Sequence, residues 1–286
     1  MCVSYIGGKS KISKFITPYI PKDIECYIEP FGGMFWVYFN MNLIEYPNLK
    51  NIIYNDFNKL NVNFFNCVKN YKEFYDVIKD YHSQKSELFY QFQKELFDNN
   101  LQVDLLKPDY HIASKYVYLL TQVWSGINCE KGKFIDLKGK YKSKFDTFKD
   151  KLKNEKWQKL FDKINIVENM DFDDIIKKYD SDKSFFYCDP PYYDLGEKYY
   201  VNHDFSIKDH ERLSNTIKNI KGKFSLSYYY FEELEKKFPK DNYTWKSKEF
   251  SKPSMAKSGK EQSKGLELLI MNYWSSYSFI SFNKYS

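Results

Sequence analysis

The chain has 286 residues and a formal net charge of +6, which allows one large core or two modest ones and suits a polyanionic partner without requiring one. Five cysteines without a CxxC pair and four histidines in no HxxxH or HExxH spacing argue against a zinc site or a disulfide framework, and for free thiols in a reducing cytoplasm. The N-terminus lacks a signal-peptide layout and the longest apolar stretch, 266–271, is too short and too charged for a bilayer, so a soluble, cytoplasmic chain with no membrane partner and no metal is expected.

Tyr5-Ile6-Gly7-Gly8-Lys9-Ser10 comes first, with glycines that allow close backbone approach to a ligand and a lysine to reach an anionic group on it. Gly-Lys-Ser also ends a P-loop, but that motif's first glycine would fall at Val3 and no strand precedes it, which excludes an ATPase. A turn opening a helix through Ile12, Phe15 and Ile16 is the plain alternative. Residues 25–35 read as a strand and a glycine turn at Gly32-Gly33, followed by a helix carrying Trp36, Val37, Phe39 and Met41. This is the opening unit of a Rossmann-type nucleotide site, where a helix N-terminus offers free N–H groups. The spacing is not GxGxxG, which points away from NAD. A strand at 51–54 ends at Asn55-Asp56, an acid placed to bind both hydroxyls of a ribose.

From 57 to 160 the pattern turns helical, with apolar residues at helical spacing over 57–81 and 110–123. Residues 124–136, starting Trp124-Ser125-Gly126, look like a hairpin with glycine turns. Between 131 and 153 stand nine lysines (Lys131, Lys133, Lys138 and Lys140 among them) against three aspartates, a net +6 with aromatics interleaved. Such concentration favours contact with a phosphate backbone over a merely solvated face.

Strand character returns at 164–167, followed by Asp171 and Phe172, which either line an adenine pocket or simply cap a helix. The apolar run 184–188 stops at Asp189-Pro190-Pro191-Tyr192. An acid and two prolines ending a buried strand make a stiff loop, and proline's missing N–H leaves neighbouring carbonyls free to accept. A carboxylate, a carbonyl and a phenol ring there suit a planar aromatic amine, with Asp189 and Pro190 taking its two protons and Tyr192 stacking on the ring. A strand cap with a proline turn is the bland reading. Residues 193–205 form a tyrosine-rich loop, 207–220 a helix, 223–227 a strand, 246–264 a mobile basic loop, and 265–273 a closing strand. Strands alternating with helices imply a doubly wound α/β sheet.

Taken in order, Tyr5…Gly7-Gly8-Lys9, Glu29-Pro30-Phe31-Gly32-Gly33, Asn55-Asp56, Asp189-Pro190-Pro191-Tyr192 and the closing Glu267-Leu268-Leu269-Ile270-Met271-Asn272-Tyr273 resemble the Dam-type, alpha-group DNA adenine-N6 methyltransferases over nearly the whole chain. The resemblance implies a Rossmann-like methyltransferase sheet formed by 1–56 plus 161–286. A mostly helical target-recognition insertion with a β-hairpin would occupy 57–160. It implies S-adenosylmethionine as cofactor. Tyr5, Gly8 and Lys9 would border it, Glu29, Phe31 and Gly33 would surround its methionine end, Asp56 would hold its ribose, and Asp171 and Phe172 its adenine. Asp189 would touch both cofactor and target base, with Pro190 and Tyr192 completing the catalytic set. The partner would be double-stranded DNA contacted by Trp124, Ser125, Lys131, Lys133, Lys138 and Lys140, the protein a monomer, and the setting a bacterial or phage-infected cytoplasm. Where the family has Tyr-Asn-Gly this chain has Trp124-Ser125-Gly126, and an arginine expected near Asn128-Cys129 is missing. Both put a GATC target in doubt, since Arg-to-guanine is the commonest base contact. Trp124 is either a wedge between bases or a core tryptophan. An RNA adenine or cytosine N4 acceptor, or an inactive DNA-binding relative, are the alternatives.

Overall fold

The computed structural model describes residues 9, 12–98, 101–123, 129–137, 139, 142–192, 205–251 and 264–274. Seven strands form one sheet: β1 (Cys26–Glu29), β2 (Asn51–Asn55), β3 (Ile166–Glu168), β4 (Ser184–Cys188), β5 (Lys223–Tyr228), β6 (Thr244–Ser251) and β7 (Lys264–Met271). Their spatial order is β3-β2-β1-β4-β5-β7-β6. The first five are parallel, with Tyr27 level with Ile52 and Phe185. β7 pairs antiparallel with both β5 and β6.

β1 and β4 are adjacent although β2 and β3 lie between them in sequence, so the chain reverses its winding direction there. In a doubly wound sheet the crevice beyond the strand ends at such a reversal is where ligands bind. Because β7 runs the other way, its start, and hence Glu267, lies at the edge where β4 and β5 finish.

Strand period sorts the core into two layers. Tyr27, Tyr54, Phe185 and Tyr187 face one buried cluster, Ile28, Ile53, Phe186 and Cys188 the other. The first is continuous with six helices that lie between β2 and β3, after the short α1 (Ser13–Ile16): α2 (Lys59–Lys69), α3 (Tyr71–Ile78), α4 (Ser86–Gln93), α5 (Tyr110–Gln122), α6 (Lys144–Lys153) and α7 (Glu155–Phe161). Side-chain caps start most of them: Asn58 accepts from Leu60 N–H, Asp109 from Ile112, Ser143 from Phe145 and Asn154 from Lys156. The second cluster is covered by α8 (Phe172–Tyr179), α9 (Ile207–Lys218) and α10 (Glu232–Lys237).

Two expectations need correction. Residues 34–41 form turns and one 3-10 turn, Tyr38–Asn40, instead of a helix. Phe35 sits at φ +54°, and Met34, Phe35, Val37, Tyr38, Phe39 and Met41 are all buried, so no polar face exists for a surface helix to present. The basic loop expected at 246–264 begins as strand: β6 runs to Ser251, pairing along β7 as far as Lys264. Lysines on an edge strand are a usual guard against further pairing, which is why the segment looks like a loop in sequence. The hairpin expected at 124–136 lies outside the described residues over 124–128, and 129–137 contains no strand. Residues 193–204 and 252–263 likewise lie outside them.

Candidate active site

The loop after β4 places Asp189 beside Lys9, whose Nζ lies 2.8 Å from Asp189 Oδ1 and 3.2 Å from Glu267 Oε1. Lys9 also donates to the Tyr192 hydroxyl, which itself donates to Glu267 Oε1 at 2.8 Å. Lys9, Tyr192 and Glu267 are 6%, 7% and 1% exposed. One ammonium, two carboxylates and a phenol thus share a site almost closed to water. Among the described residues the ion pair and the hydrogen bond of Asp189 both fall on Oδ1.

Electrostatics follow from that crowding. Burial opposes the Lys9 charge, but Asp189 and Glu267 outweigh it and hold the ammonium above its ordinary value. For Asp189, burial pushes the carboxyl up to about 6; Lys9 pulls the other way and Glu267 adds to the rise. Burial likewise drives the Tyr192 phenol well above its usual range.

The Tyr192 ring has two close neighbours. Lys9 Nζ lies 4.6 Å from its centroid and the half-buried Tyr229 ring 4.2 Å away, with Phe250 stacked beyond Tyr229. The aromatic wall is therefore a pair, and Tyr229 is its outer member.

Across the β1–β4 crevice, Gly32 N–H donates to Asn55 O at 2.7 Å, and a Cβ on Gly32 would lie 2.3 Å from Tyr54 Cε2. The missing side chain lets the turn close onto β2. Gly33, at φ +49°, donates its N–H to Asp56 Oδ2 at 2.8 Å, and Asn58 N–H donates to Oδ1. Asp56 thus stands at the end of β2 facing the glycine turn, half-buried, its carboxyl raised by that burial. Glu29 Oε1 accepts from the Tyr27 hydroxyl at 2.6 Å and from Tyr38 N–H at 3.2 Å. Burial pushes its carboxyl well above the ordinary range.

Phe31 and Phe172 stack at 5.5 Å beside Phe205. Asp171 caps α8 through Asp173 N–H and takes a bidentate pair from Arg212, at 2.7 and 2.9 Å. The guanidinium also lies 4.2 Å over the Phe172 ring. Arg212 is the chain's only arginine.

The structure therefore gathers Lys9, Glu29, Phe31, Gly33, Asp56, Asp171, Phe172, Asp189, Pro190 and Tyr192 along one sheet edge. Tyr5, Gly8, Trp124, Ser125, Lys138 and Lys140 lie outside the described residues; Lys131 and Lys133 are exposed on the helical side. Elsewhere in the basic segment Lys142 pairs with Asp150 and Lys149 with Asp146. Sequence reasoning missed Glu267, Tyr229 and the Arg212 clamp. Glu267 did carry a signal, as a lone acid inside an apolar strand, since buried charges are rare unless paired. Among the described residues no His/Cys/Asp/Glu cluster is placed to hold a metal, and no helix is long and apolar enough to cross a membrane.

Comparison with known proteins gives the same direction. Residues 5–255 match the family described as D12 class N6 adenine-specific DNA methyltransferase. The type II methyltransferase M.CviBI of Paramecium bursaria Chlorella virus NC1A is 28% identical, covering 77% of this chain and 79% of its own. The type II methyltransferase M.MjaIII of Methanocaldococcus jannaschii is 26% identical over 95% of this chain and 98% of its own.

Proposed function

Since the chain belongs to the D12 class N6 adenine-specific DNA methyltransferase family and is a DNA adenine methyltransferase, we propose that it uses S-adenosylmethionine and that Asp189, Pro190 and Tyr192 grip the flipped target base. The observation that carries this reading is the anchored Asp189: Lys9 and Tyr192 hold Oδ1 while Oδ2 faces no described partner. The donor set fits the cofactor. Asp56 is an acid at the end of β2, Phe31 and Phe172 offer ring faces, and the Lys9, Asp189 and Glu267 group carries one more negative than positive charge to meet a sulfonium. When bound, S-adenosylmethionine would supply an electrophilic methyl, its sulfur keeping the electron pair of the broken bond.

The chain's own residues do the rest. The lone pair of adenine N6 is delocalised into the ring, so N6 is a poor nucleophile. Accepting its two protons at Asp189 Oδ2 and the Pro190 carbonyl favours a pyramidal nitrogen and localises that pair. In-line transfer then needs placement more than acid–base help. A base inside a duplex cannot reach this edge, so it is flipped out and meets the Tyr192–Tyr229 pair. Asp56 would hold the ribose, and Asp171 and Phe172, locked by Arg212, would border the cofactor adenine. Segment 57–160 would serve as target-recognition insertion on the sheet formed by 1–56 and 161–286, with Trp124, Ser125, Lys131, Lys133, Lys138 and Lys140 meeting duplex DNA as the protein works as a monomer.

The test is direct. Duplex DNA incubated with S-adenosylmethionine tritiated on the methyl is digested to nucleosides, and label is expected in N6-methyladenine for wild type and absent for Asp189→Ala. Equal label from the two proteins would end the assignment of Asp189.

A further inference from the structure

We propose that Glu267, on β7, is a positioning residue for methyl transfer: its carboxylate draws the Tyr192 phenol and the Lys9 ammonium inward against Asp189 Oδ1, so that Oδ2 points at the incoming amine. The proposal rests on the reading of Asp189 as the amine's acceptor, and deepens it.

Four observations carry it. Glu267 is 1% exposed in a strand whose other residues from 266 to 271 are Leu, Ile and Met, and a buried acid persists only where it is paired. A single oxygen, Oε1, meets both Tyr192 OH at 2.8 Å and Lys9 Nζ at 3.2 Å. Both partners also touch Asp189, Lys9 at 2.8 Å and Tyr192 at 3.4 Å. The strand bearing Glu267 is the antiparallel one, far along the chain, and its insertion between β5 and β6 brings the acid to this edge. An aliphatic residue would satisfy the sheet as well, so packing alone does not account for the acid.

Removing the carboxylate charge has two consequences. Lys9 and Tyr192 lose their second anchor, and Oδ1 is held less firmly. Asp189 also loses a repelling negative neighbour and becomes a weaker proton acceptor. The other groups around Asp189 are Cys188 and Tyr187 from β4, Tyr228 and Tyr229 from the end of β5, and Glu29 from β1, besides Lys9 and Tyr192.

The experiment compares the full-length wild type with Glu267→Gln, which keeps an oxygen for the phenol and drops the charge. Steady-state methylation of duplex DNA is measured across the acid limb of the pH profile, with melting temperature as fold control and Asp189→Ala alongside. The expected result is a kcat about tenfold lower or more, short of the hundredfold that gross misplacement costs. KM for DNA and for the methyl donor should stay within a few-fold, and the acid limb should move to lower pH. A variant with wild-type kcat and an unmoved limb overturns the proposal while leaving Asp189 in place. So does a variant that is slow only in proportion to a lowered melting temperature, with its limb unmoved, since that marks a structural strut. Activity in Asp189→Ala would instead remove the underlying reading. If Glu267→Gln does not fold, Glu267→Asp takes its place: the charge stays but is withdrawn by one methylene, so kcat falls with little change in the limb, and an unchanged kcat overturns the proposal.

Discussion

Asp189 sits where burial and a neighbouring ammonium pull its carboxyl in opposite directions, and burial prevails, leaving it at about 6. Its ordinary value is lower, so the sign is clear: the ionised, proton-accepting form is lost as pH falls through about 6, and kcat/KM is expected to fall with it. A pH–rate profile flat through that region would count against Asp189 as acceptor. Arg212 offers a second residue-scale expectation. Its planar fork meets both oxygens of Asp171 while lying over Phe172, a geometry lysine cannot copy. With the arginine 43% exposed, Arg212→Lys should weaken methyl-donor binding only about two- to fivefold, read by titration calorimetry. At this scale the motif residues were legible because their chemistry is local: an acid beside two prolines, an acid closing a strand. The roles of Arg212 and Glu267 were not, although Glu267 stood out as an acid in an apolar run, because those roles arise from a neighbour many residues away.

Between elements, the glycine turn and β2 form the tightest joint. A methyl on Gly32 would meet Tyr54 Cε2 at 2.3 Å and Asn55 O at 2.8 Å, and the fully buried Tyr54 has no room to retreat. Gly32→Ala is therefore expected to cost about 1–3 kcal/mol in a urea melt, with Asp56 displaced. The joint of α9 with β5 has a titratable member: His210 Nδ1 bonds the Tyr228 hydroxyl, and burial depresses the imidazole to about 4. The unfolded chain takes up that proton first, near the usual 6.5. The contribution of His210 is thus present above about 6.5 and lost as pH falls towards 4. Urea melts across that window should show a smaller acid loss in His210→Gln than in wild type. The helical stretches within 57–81, 110–123 and 207–220, marked by their apolar spacing, were readable in sequence, whereas 34–41 was not. A segment buried on every side has no period to read.

For the molecule as a whole, Lys131 and Lys133 stand exposed in the stretch between α5 and α6. If they meet phosphates, replacing either by Ala should weaken binding alike for all DNA sequences and reduce the salt slope by about one, measured by fluorescence anisotropy. An unchanged slope would assign them to solvated surface. The chain alone determined the mixed α/β class of fold and the family resemblance, because alternation of strands and helices, glycine turns and the Asp-Pro-Pro-Tyr loop are properties of short stretches. Only the tertiary structure decided which groups share a dielectric: that a lysine at residue 9 and an acid at 267 close on Asp189, and that Tyr192 turns inward behind Tyr229. Such contacts depend on strand order and direction, above all the antiparallel insertion of β7, and no local pattern of residues encodes how distant strands are ordered in a sheet.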